Sequence, residues 1–127
     1  KWHPMTICNL NGDTLEKVIQ YDSNKLFKYV RGSTCASTFE NQHWFVVHIV
    51  SHEKPRHYYH MLVILNEEYK IIKHSSIFKF EGESIEYCLG IIVEKDSVIM
   101  SYSTWDRTTR IGVYDKKYID SIVKYTV

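Results

Sequence analysis

Residues 44–50 read WFVVHIV and residues 58–65 read YYHMLVIL, with the polar linker Ser51-His52-Glu53-Lys54-Pro55-Arg56 before the second. In an extended chain, successive side chains point to opposite faces. Trp44, Val46, His48 and Val50 then share one face, and Phe45, Val47 and Ile49 share the other. Both faces are largely apolar, which predicts a strand in a sheet covered on both sides. Tyr58–Leu65 has the same character, so the two segments are expected to form a long-looped hairpin.

The pattern extends in both directions. Glu67-Glu68 turns the chain toward a third strand, Tyr69 to Lys73. Leu89–Glu94 and Val98–Tyr102 flank the short turn Lys95-Asp96-Ser97, and Arg110–Tyr114 follows Asp106-Arg107-Thr108-Thr109. Upstream, Met5–Leu10 and Thr14–Ile19 flank Asn11-Gly12-Asp13, and Asn-Gly is a strong hairpin signal. One helix is expected at the end, with Asp115 as N-cap and Tyr118, Ile119, Ile122 and Val123 at helical spacing. Asp22–Phe27 has room for a helical turn.

Groups of three or four short strands, recurring about every 40–45 residues, suggest propeller blades. The expected fold class is therefore all-β: a partial β-propeller of two to three blades with one C-terminal helix. It forms a single domain, with blades over 1–114 and the helix over 115–127. A β-sandwich competes, because it also gives short strands punctuated by turns.

At 127 residues and 44% apolar content, the chain can fill one core. Its formal charge is +1, from 16 basic and 15 acidic residues, with no basic run longer than Lys116-Lys117. That argues against a nucleic-acid partner. No apolar stretch approaches the roughly 18 residues of a membrane span, and the start carries no signal-peptide pattern. Lys1-Trp2-His3-Pro4-Met5 reads like the interior of a longer chain, so a fragment or processed product is expected.

Cys8, Cys35 and Cys88 are odd in number and form no CxxC pair. Reduced, mostly buried thiols are expected, which favours a cytoplasmic or other reducing compartment. His43, His48, His52, His57 and His60 invite a metal proposal, but strand alternation puts His57 and His60 on opposite sides. No metal or other cofactor is expected. Cys88 sits beside Leu89 and near Ile91, which suggests burial rather than a nucleophilic role.

Several short motifs occur in one order. They are Arg31-Gly32-Ser33-Thr34, Trp44 to His48, Arg56 to His60, Phe78-Lys79-Phe80, Ile85 to Gly90, and Tyr102 to Asp106. That order resembles the C-terminal part of five-bladed β-propeller carbohydrate enzymes of the β-mannoside phosphorylase and glycosidase kind. It is also similar to propeller modules attached to glycosyltransferases in bacteria and large DNA viruses. The resemblance runs from about Arg31 onward. It implies phosphate-holding roles for His48 and for Tyr58 or Tyr59, with Arg31 assisting. It further implies a sugar contact from Asp106 and a matching position for Glu86. The family's general-acid Asp lies in early blades that nothing here matches, so any glycosidase or phosphorylase activity would need residues outside this chain.

The same residues have plainer readings. His48 fits a packed histidine with one hydrogen bond. Glu86 and Asp106 fit turn or salt-bridge roles as well as a sugar-binding carboxylate pair. Trp105 can offer its ring to a pyranose or pack at a rim, and Arg107 or Arg110 can pair with Asp106. Tyr58 and Tyr59 must face opposite sides, so only one can reach a shared pocket. The leading expectation is a carbohydrate-active module that binds a sugar or sugar-phosphate, with inorganic phosphate a candidate ligand. The alternative is a non-enzymatic β-domain that self-associates or anchors a larger glycosyltransferase.

Overall fold

The computed structural model describes all 127 residues, Lys1–Val127. The chain runs β1 (Met5–Asn11), β2 (Thr14–Tyr21), a 3₁₀ helix (Lys25–Tyr29), β3 (Arg31–Gly32), β4 (Ser37–Phe39), β5 (Gln42–Ser51) and β6 (His57–Leu65). It continues through β7 (Ile71–His74), β8 (Glu86–Val93), β9 (Ser97–Thr104), β10 (Thr108–Asp115), α1 (Lys116–Ile122) and β11 (Tyr125–Thr126). The class is all-β with one α-helix, and the strands form three separate sheets.

β5 and β6 pair antiparallel over nine residues, with Trp44 opposite Ile64, Val46 opposite Leu62 and His48 opposite His60. They form the middle of a six-stranded sheet ordered β11-β7-β6-β5-β3, with β4 also lying along β5. As the alternation predicts, both faces of this sheet are covered. Trp44, Val46, Leu62 and Ile64 join Cys88, Ile91, Val93, Val98 and Met100 of the β8-β9-β10 sheet in one core, with Ile119 and Val123 beside them. Val47, Met61, Val63 and Leu65 face the other way, onto Met5, Phe27, Val30 and Ile71. Two sheets therefore pack with a common core between them, while the N-terminal segment and 3₁₀ helix seal the outer face.

The β1–β2 hairpin turns at Asn11–Gly12, as its sequence predicts, with Gly12 at φ +60°. Met5, Ile7 and Tyr21 root it in the second core, while Leu10 and Leu15 at its tip stay exposed. Helix α1 is capped by the Asp115 carboxylate, which accepts the Lys117 N–H at 2.9 Å. It places Ile119 in the first core.

Several details depart from the sequence reading. The helix ends at Ile122 rather than running to the C-terminus, and Tyr125–Thr126 pairs with β7 as a strand. β7 begins at Ile71, because Asn66 ties down the preceding turn by accepting the N–H groups of Glu68 and Lys70. Only Cys88 of the three cysteines is buried; Cys8 is half-buried and Cys35 exposed. The reason for Cys35 is local: it sits between β3 and β4, where the chain leaves the β5 edge.

Candidate functional site

β3 pairs with β5 so that Arg31 lies opposite His48, and the small residues after it follow the same edge. Thr34 exchanges hydrogen bonds with Val46, its N–H donating to the Val46 carbonyl and its Oγ1 accepting the Val46 N–H. This holds Ser33 against His48, and Ser33 Oγ is hydrogen-bonded to His48 Nδ1. The small side chains at 32–34 let the chain hug β5, which is the physical use of that turn. No carboxylate bonds the other ring nitrogen, so Ser33 and His48 lack the orienting third group of a nucleophilic triad.

His48 is buried, with the Tyr58 ring 5.7 Å away and the Tyr87 ring 5.5 Å away. These residues open into a cavity of about 350 Å³ that Arg31, His52 and Arg56 complete. Burial, and secondarily the Arg31 charge, lowers the His48 pKa below the usual imidazole value. Ser33 occupies Nδ1, so the neutral ring offers a ligand only its Nε2, while two guanidinium groups supply fixed positive charge. Paired Arg side chains with phenol hydroxyls suit a phosphate, sulfate or carboxylate group.

Three sequence-derived candidates thus meet in one cavity: Arg31, His48 and Tyr58. Tyr59 faces the opposite side of the sheet, where its ring stacks near His57 and lies 5.0 Å from Lys79 Nζ. Glu86 does not reach the cavity. It is fully buried, and its carboxylate accepts the backbone N–H groups of Phe80 (2.9 Å), Glu81 (2.7 Å) and Glu83 (3.3 Å). Both oxygens are thus committed to holding the 80–83 loop.

Trp105 and Asp106 form the turn between β9 and β10, each at φ 54°, and neither lines the cavity. Trp105 Nε1 donates to Glu83 Oε2 at 2.9 Å. Arg110 pairs with Glu81 at 2.9 Å rather than with Asp106.

Behind the cavity lies His60, opposite His48 in the β5–β6 ladder and wholly buried. Its Nε2 is 3.5 Å from Glu86 Oε1, and its ring sits 4.8 Å from Phe80 and 5.8 Å from Phe78. Burial first, then the charge His48 gains on protonation in acid and the Lys79 charge, lowers its pKa to about 4, so the ring is neutral at physiological pH.

Sequence reasoning missed His52, Arg56 and Tyr87 as cavity residues. Arg56 carried a usable signal, because it stands two residues before Tyr58 and so shares its side of an extended segment. Tyr87 carried none, since its approach to His48 depends on how the two sheets pack. Comparison with protein-family models, with curated proteins and with solved structures found no match in any of the three.

Proposed function

We propose that this chain is a carbohydrate-binding module whose ligand is a sugar bearing an anionic group, with a sugar-phosphate the reference case. The carrying observation is the convergence of Arg31, Arg56, His48, Tyr58 and Tyr87 on one cavity. The guanidinium groups take the anion, and the ring edges and hydroxyls of the tyrosines and the neutral imidazole meet sugar hydroxyls. In this reading the module binds rather than cleaves, because no carboxylate lines the cavity and the buried Glu86 is occupied by backbone donors. A partial propeller remains the proposed architecture: neighbouring blades pack face to face, as the two layers of a sandwich also do.

Arg31→Ala is expected to weaken binding of mannose 6-phosphate about tenfold or more, by loss of a charge-assisted contact. Titration calorimetry measures this, with Tyr58→Phe as a milder companion. Absence of binding to any sugar-phosphate or to inorganic phosphate, or an unchanged affinity in Arg31→Ala, sinks the reading.

Assembly is a second reading, favoured by β10. It is the edge of its sheet, and Ile111 and Val113 on it are 71% and 67% exposed. An open apolar edge invites another strand. Two copies related by a two-fold axis can pair β10 antiparallel about Gly112, setting Ile111 of each against Val113 of the other. Light scattering is then expected to give a dimer mass that Val113→Lys converts to monomer. A wild-type monomer at high concentration removes this reading.

A further inference from the structure

We infer that the anion cavity is one end of a longer trough, and that its ligand is a chain of several sugars carrying repeated sulfate or phosphate groups. The inference rests on the saccharide reading above. A second and larger cavity, about 880 Å³, lies on the Ile49 side of β5 and meets the first at the sheet edge, where Arg31, Val50 and His52 line both. Lys28 and Lys1 also line it. Four permanent cations therefore line the combined surface: Lys1, Lys28, Arg31 and Arg56.

No Asp or Glu lines either cavity, although the chain carries 15 acidic residues against 16 basic ones. The one acid in the adjoining loop, Glu53, is 3.6 Å from His57 instead. Such segregation on a nearly neutral chain makes a local positive field that a single small anion would not fill. One sugar ester occupies the smaller cavity and leaves Lys28 and Lys1 without an anionic partner. A ligand with anions repeated along its length meets all four.

The aromatic residues decide between a charged glycan and a single-stranded nucleic acid. Base recognition without sequence preference needs rings free to stack on successive bases. Here the Trp2 ring is used internally, 6.4 Å from Phe27 and edge-on to Phe45 at 5.3 Å. Tyr58 and Tyr87 pack on His48. Tyr29 is exposed, but Lys28 Nζ lies over its ring at 5.5 Å. Open stacking platforms are missing, whereas four basic side chains line the two cavities.

The test is a length series of sulfated oligosaccharides titrated against the whole chain, with mannose 6-phosphate as the single-sugar reference. Affinity is expected to rise about tenfold or more from the disaccharide to the longer members, and to fall more steeply with salt as length grows. Lys28→Glu, a change at an exposed position, is expected to remove about tenfold from the long ligands while leaving the sugar-phosphate within about twofold. Flat affinity across the series, or a Lys28→Glu variant that binds long chains normally, overturns the trough and leaves the single-sugar cavity standing. Failure of mannose 6-phosphate and of every sulfated sugar removes both. Tighter binding of a single-stranded DNA oligonucleotide than of a glycan of equal charge, at equal salt, also overturns the inference.

Discussion

Glu86→Ala is expected to lower the unfolding free energy by about 3–4 kcal/mol. The carboxylate accepts three backbone N–H groups from residues 80–83 in a site with no exposed surface. Alanine leaves those donors without an acceptor and opens a void beside His60 and Phe80. The Phe80 N–H suffers most, because the Phe80 ring is stacked on Tyr102 at 4.2 Å and cannot swing out to water without breaking that contact. Glu81 and Glu83 are exposed and recover part of their loss through solvent. Glu86→Gln keeps the shape but turns one acceptor into a donor, so about half of that loss is expected. Urea denaturation measures both. A Glu86→Ala midpoint close to that of the wild type would mean that something else holds the loop.

Acid is expected to destabilise this protein by way of His60. Its folded pKa is lowered to about 4, against about 6.5 in an unfolded chain. Between those values the unfolded state binds a proton that the folded state refuses, so stability falls as pH drops from about 6.5 toward 4. Above the unfolded value both states are neutral and the effect is absent; below about 4 it is complete, at about 3 kcal/mol. His48, lowered in the same direction by burial, adds to the slope. His60→Leu removes a titrating group from an aromatic surround, and the difference between its stability-versus-pH curve and that of the wild type isolates the contribution. Parallel curves for the two proteins from pH 7 to pH 4 would show that the imidazole does not couple folding to protons.

The long strands were legible because their own side chains impose them. Trp44–Val50 and Tyr58–Leu65 alternate apolar residues onto two faces, and two separate cores take up those faces. Asn11–Gly12 marked its turn by chemistry that acts within four residues. The two-residue strands β3 and β11 escaped notice because nothing in their own composition specifies them. Pairing with β5 and β7 does. The 3₁₀ helix was half-visible, since Phe27 anchors it in the core while Asn24 caps it through the Leu26 N–H.

The candidate site was legible in the same proportion. Arg31, His48 and one of Tyr58 and Tyr59 were named only through a resemblance in motif order; alternation added that the two tyrosines part, and the cavity takes Tyr58. Glu86 was misplaced because its partners are backbone groups of a loop that folds back on it, and backbone donors leave no trace in residue types. Trp105 and Asp106 looked like ligand-facing residues, yet their left-handed backbone makes them the corner of a hairpin.

β5 belongs to both halves of the interior at once. Trp44 and Val46 are bricks of one hydrophobic compartment, and Val47 is a brick of the other, on adjacent positions of a single backbone. Displacing this spine wets both. Melting is accordingly expected to be all-or-none, with the same midpoint by fluorescence and by circular dichroism, despite an interior divided in two.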